Sequence, residues 1–320
     1  LFPVGFSMLY LLGYDLFTGV CVLTPLALID KRPGVTVAGI RNTGSGSITS
    51  VVNNTGGSIA GARAGIFNEG SIATISNAGM ISSNSSFGGT IAGIWNDGGT
   101  ISNLTNTGTL QSAKIGSFLA GFGVVTENGA IETLQNDGTI VGQLGILAQD
   151  NARLGTLTNS GTLSGDIAGI FMDASTAGTI TNTGLIVGAP SSAMGGSFDT
   201  GIYLSRASSV SLLANSGTIT GRNAAIQLDG NSYISTITNS GLIAGDLTSA
   251  STIPLSIAGG SGNVFGTLTG ASGGLGVADK GLIKVTGANL VFSGGNLLLN
   301  NDIAAVGRSV INTGATLQIN

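Results

Sequence analysis

One pattern governs most of this chain: aliphatic, any residue, Asn, any residue, Gly, any residue, aliphatic. Its asparagines are Asn54, Asn77, Asn106, Asn136, Asn159, Asn182, Asn215 and Asn239. Two residues before them lie Val52, Ile75, Leu104, Leu134, Leu157, Ile180, Leu213 and Ile237. Two residues after them lie Gly56, Gly79, Gly108, Gly138, Gly161, Gly184, Gly217 and Gly241. A further aliphatic follows each glycine by two residues, except that Gly57 displaces the first one to Ile59. A second apolar position recurs at Ile40, Ile66, Ile94, Val124, Ile146, Ile170, Ile202 and Ile226. Periods of this length mark stacked repeats, in which no unit can bury its apolar face alone.

The shortest units are about 22 to 24 residues long and hold three short stretches of alternating apolar and polar residues. Alternation with a period of two means strands with one face buried. Every unit repeats the same order, so hairpins are excluded and each strand must pair with its counterpart in the next unit. That pairing is parallel, with neighbours about 4.8 Å apart. The predicted fold class is therefore all-β, a single-stranded β-solenoid. The spacing also predicts an asparagine at each corner, its amide bonded to those above and below, because a buried amide needs partners. The glycine after it is expected to supply a positive φ for a sharp turn.

The organisation divides at residues 36 and 246. Residues 37–246 carry the Asn-x-Gly repeats. Residues 247–320 lose that beat but keep short strands and Gly turns, and read as a looser, Gly-rich continuation of the solenoid. Residues 1–36 form an apolar N-terminal segment running to Ile29 before Asp30, Lys31 and Arg32. A degenerate signal sequence, a membrane helix with Asp15 inside it and non-native upstream sequence all remain open for it.

Composition narrows the function. Hydrophobic residues are 42% and charged residues 8%, with 55 Gly but only 5 Pro, which fits aliphatic stacks joined by tight turns. Net charge is −4 with no basic cluster, so the electrostatic footprint of a nucleic-acid binder is missing. The single cysteine, Cys21, permits no internal disulfide. The chain has no histidine, which removes serine–histidine and cysteine–histidine catalysis and histidine-containing zinc sites. No cofactor or metal is expected. Gly44-Ser-Gly-Ser lacks the lysine of a phosphate loop, and Gly259-Gly-Ser-Gly-Asn-Val-Phe resembles a calcium nonapeptide only once.

Repeats such as Gly178-Thr-Ile-Thr-Asn-Thr-Gly-Leu-Ile-Val-Gly resemble autotransporter passenger domains of type V secretion. The tail from Gly281-Leu-Ile-Lys-Val-Thr-Gly-Ala-Asn-Leu-Val-Phe-Ser-Gly-Gly to Gly314-Ala-Thr-Leu-Gln-Ile-Asn is similar to the β-strand repeat of such passengers. The resemblance covers roughly residues 36–320. It implies a right-handed parallel β-helix displayed at the bacterial cell surface or secreted. It also implies a C-terminal outer-membrane β-barrel as partner, which this chain does not include, and a bearing on virulence.

Three units are longer, and their extra residues enter between the second strand and the third: 82–89, 111–117 with Phe118, and 189–200. Loops at one shared junction should protrude from one edge, where repeat proteins often bind. They contribute the candidate ligand-binding residues Phe87, Phe118, Lys114, Phe198 and Asp199; the alternative is that each ring folds back onto the sheet. An acidic stripe follows the third strand at Glu69, Asp97, Glu127, Asp173 and Asp229, with Asp150 one residue later and Ser205 and Arg206 as the exception. It suits a turn, and it could also hold calcium or face a cationic partner.

The expectation is a rigid adhesive rod, not an enzyme, that binds a host-cell or matrix ligand. A β-helix polysaccharide lyase or hydrolase is the alternative from another class. A self-associating factor, which would bind like molecules on neighbouring cells, is a third.

Overall fold

The computed structural model describes residues 20–23, 38–84, 90–112, 121–188 and 199–320. The chain winds as a parallel β-helix with three faces. On the first, Ser47–Asn53, Ser71–Asn77, Thr100–Asn106, Ala130–Asn136, Arg153–Asn159, Thr176–Asn182 and Ser209–Asn215 pair in parallel, in that order. The second face follows the asparagine corner, with strands such as Ser58–Gly61, Met80–Ser83, Thr109–Ser112 and Leu185–Gly188. The third holds Ala38–Asn42, Ala64–Asn68, Ile91–Asp97, Gly121–Glu127 and Thr200–Ser205. In two coils the second and third faces run as one bent strand, Thr139–Gln149 and Thr162–Asp173.

Each face turns one aliphatic column inward or two. Ile48, Ile72, Ile101 and Ile131 stack in register on the first face, beside Val51, Ile75, Leu104, Leu134, Leu157, Ile180 and Leu213. Ile81, Leu110, Ile140 and Leu163 line the second face, and Ile66, Ile94, Val124 and Ile146 the third. Nearly all are fully buried in one continuous cluster. Burying each contributes about 1.5–3 kcal/mol, and every coil repeats the set.

The asparagines close the corner between the first two faces. The Asn77 amide donates to Asn106 Oδ1 at 2.7 Å, to the Gly79 carbonyl at 3.2 Å and to the Thr109 carbonyl of the next coil at 3.2 Å. The column runs Asn53, Asn77, Asn106, Asn136, Asn159, Asn182, Asn215 and Asn239. Its first member is Asn53 and not Asn54, which is exposed. The first corner carries an extra turn: Gly57 N bonds the Asn54 carbonyl and Gly56 adopts a φ of +79°. Val51, correspondingly, enters the core in place of Val52.

The corner glycines serve a different end from the one expected. Among them only Gly56 has a positive φ. At Gly161 a Cβ would stand 2.0 Å from the Gly138 carbonyl oxygen of the preceding coil. The side chain is missing because the adjacent backbone occupies its place.

Residues 247–320 continue the coil. Leu247–Ser249 pairs with Gly281–Val285, which pairs with Asn301–Ala305, all in parallel. The asparagine column stops at Asn239, whose amide donates to the Thr267 carbonyl at 3.1 Å. At the opposite end Val20–Leu23 pairs antiparallel with the strand ending at Asn53. A backbone laid in that sense covers an edge that would otherwise accept further strands.

Candidate functional site

The third face carries the chemistry. Its strands alternate an inward aliphatic, an outward residue, an inward polar or apolar residue, and then the acidic stripe. The outward positions stack in register as Arg41, Phe67, Trp95, Val125, Leu147, Phe171, Tyr203 and Gln227. Phe67 and Trp95 meet edge to face with centroids 5.0 Å apart, and Phe171 stacks on Tyr203 at 4.9 Å. The Arg41 guanidinium lies 5.5 Å from the Phe67 centroid, and that of Arg63 lies 4.9 Å from Trp95. Trp95, Val125 and Leu147 form part of a second apolar cluster outside the core, with Phe122 and Leu144.

Inward of this row lies a second amide ladder. Asn42 donates to Asn68 at 2.7 Å, Asn68 to Asn96 at 2.6 Å and Asn96 to Thr126 Oγ1 at 3.1 Å. Beyond it the same position becomes Ala148, Met172, Leu204 and Leu228, all buried.

The acidic stripe is bonded into this surface. Asp97 and Glu127 are register partners, and Gln149, not Asp150, takes the next place, followed by Asp173 and Ser205. Asp150 sits in a turn at φ 53°. Glu127 accepts from Trp95 Nε1 and, at 2.6 Å, from Gln149 Nε2. Arg41 pairs with Glu69 at 3.1 Å, Arg206 pairs with Asp173, and Tyr203 donates to Asp229. Burial pushes the Tyr203 hydroxyl pKa upward, reinforced by Asp229. The bond from Arg206 holds the Asp173 carboxyl below its usual range, against the effect of burial. Asp97 is raised, by burial first and then by Glu127 and Glu69.

That raised value has a measurable sign. A carboxyl that holds its proton more tightly when folded weakens the fold above its folded pKa, and the penalty fades as pH falls toward the unfolded value. Asp97→Asn is therefore expected to raise the melting temperature slightly at pH 7. The gain should shrink on titration toward pH 4; an equal gain at both pH values would mean that charge is not its source.

Of the candidates in the inserted loops, Phe87, Lys114, Phe118 and Phe198 lie outside the described residues. Asp199 is described and is only 6% exposed, so it is not displayed on the surface. The insertions do enter where expected. Consecutive asparagines are 23 or 24 residues apart in the short coils and 29, 30 and 33 apart in the long ones. The added length falls between Met80–Ser83 and Ile91–Asp97, between Thr109–Ser112 and Gly121–Glu127, and between Leu185–Gly188 and Thr200–Ser205. Among the described residues no three or more His, Cys, Asp or Glu side chains are grouped to hold a metal ion. The sequence reading found the stripe and missed the aromatic row. Its signal was present as the residue directly after the third-strand aliphatic.

The protein is thus a parallel β-helix with an aromatic and acidic face beside the junction at which its three long coils are elongated. No family model, no curated protein and no solved structure matches the chain.

Proposed function

We propose that this chain is an autotransporter-like surface passenger: a rigid rod that binds a host-cell or matrix ligand through its inserted loops. One observation carries the reading. All three long coils are elongated at the same junction of the second and third faces. Elsewhere the rungs repeat and offer little to distinguish one ligand from another. At this junction the repeat is broken, beside the partly exposed rings of Phe67, Phe171 and Tyr203.

The polysaccharide hydrolase is less well supported. Asp97 and Glu127 are neighbouring carboxylates in the stripe, but Glu127 is already engaged by Trp95 and Gln149. Of the rings that could stack on a sugar, Phe67 and Trp95 each hold a guanidinium nearby, and Phe171 and Tyr203 stack on each other.

The test is to trim the three loops to the length of the short coils and display the rod on cells. Adherence to matrix or host cells should be lost while circular dichroism still reports a β fold. Retained adherence with an intact fold would place the binding function elsewhere.

A further inference from the structure

On the first face, outward residues flank each inward aliphatic and stand in two rows. One is Thr74, Asn103, Thr133, Thr156 and Thr179; the other is Ser76, Thr105, Gln135, Thr158 and Thr181. Strand pairing keeps both rows in register with no bulge through these coils. The residues between the rows, Ile75, Leu104, Leu134, Leu157 and Ile180, are fully buried and fix the outward direction of their neighbours. None of the ten is charged. At the margin Glu132 and Arg153 neutralise each other.

We propose that this face binds ice. Neighbouring strands are about 4.8 Å apart and residues two apart on a strand about 6.6 Å, so the in-register side chains form a regular grid. Prism faces of hexagonal ice repeat on a grid of nearly this size. Threonine suits such a surface: its hydroxyl bonds lattice water and its methyl holds the neighbouring waters in cages. Thr156 is exposed, and Thr158, Thr179 and Thr181 are partly exposed. A protein partner fits less well. The grid covers on the order of 200 Å², against roughly 800 Å² per partner for a stable complex, and it offers no aromatic or arginine anchor. Asn103 and Gln135 interrupt the rows, so the expected activity is inhibition of ice recrystallisation more than a wide freezing gap.

The full chain, purified, should slow the coarsening of a polycrystalline ice film several-fold relative to an inert globular protein at equal concentration. Thr156→Lys with Thr179→Lys should return the rate to that of the inert protein. Thr162→Lys, on the second face, should leave inhibition intact. A parent chain no better than the inert protein overturns the proposal, and that measurement depends on no variant folding. So does a double variant that keeps full inhibition, or retention on crystalline cellulose without any effect on ice. None of these outcomes bears on the loops at the other junction.

Discussion

Replacing Ile180 by Asp is expected to abolish cooperative unfolding of the central coils. Ile180 is fully buried between Leu157 and Leu213. Its replacement would set a carboxylate among aliphatics on both sides, with no donor in the column. An unpaired charge there costs far more than the lost methyl groups, about 4–5 kcal/mol or more. In a stacked repeat the damage spreads, because each coil derives its stability from its neighbours. Thermal melting followed by circular dichroism, with limited proteolysis to map the loosened coils, measures it. A variant that melts within a degree of the parent would show that this column is not core.

Gly161→Ala should come second in size. Its new methyl carbon would lie 2.0 Å from the Gly138 oxygen and 2.7 Å from the Asp137 carbonyl carbon, both backbone. Neither can rotate aside, so the two coils must separate locally and stretch the bonds at the asparagine corner. A loss of about 3 kcal/mol is expected. Gly56→Ala makes the contrast. That residue has open space around it and a φ of +79°, so the cost should be only the 1–2 kcal/mol or so of a left-handed residue. Equal losses in the two variants, measured by denaturant midpoint, would contradict this division between collision and strain.

These two glycines also show where sequence reasoning stopped. The recurrence of aliphatic and asparagine positions was enough to define the coil, its three strands and its parallel stacking, because period and register are written in one dimension. What separates neighbouring coils is not. The reason for glycine at Gly161 lies in a carbonyl contributed 23 residues earlier, by the coil that shares its asparagine link. The shift from Asn54 to Asn53 had a similar origin: Asn-Asn-Thr-Gly-Gly offers two registers, and the extra turn at Gly56 decides between them. On the third face the acids were conspicuous because carboxylates are rare in this chain. Phe67, Trp95, Phe171 and Tyr203 were not, because Arg41, Val125, Leu147 and Gln227 share their column and hide the aromatic pattern. The second amide ladder was hidden likewise, since asparagine yields there to Thr126 and then to apolar residues. The loop candidates rested on protrusion alone, and Asp199 shows that the end of an insertion can be buried.

The first amide column has a direction. Each asparagine from Asn53 to Asn215 donates to the next one toward the C-terminus, and each from Asn77 to Asn239 accepts from the one before it. Through most of the column two backbone carbonyls also take the same amide group, for Asn159 those of Gly161 and Leu185, so the amide cannot swing end for end. The dipoles therefore align head to tail, and the rod has an electrical polarity built into its interior. At the leading end this leaves Asn53 Oδ1 buried with no donor, as Asn42 Oδ1 is at the head of the second ladder. A coil stacked upside down would bring acceptor against acceptor or donor against donor at every corner. The column thus works as a ratchet on assembly: coils that add in the sense of the chain lengthen the line of dipoles, and coils that add in reverse break it.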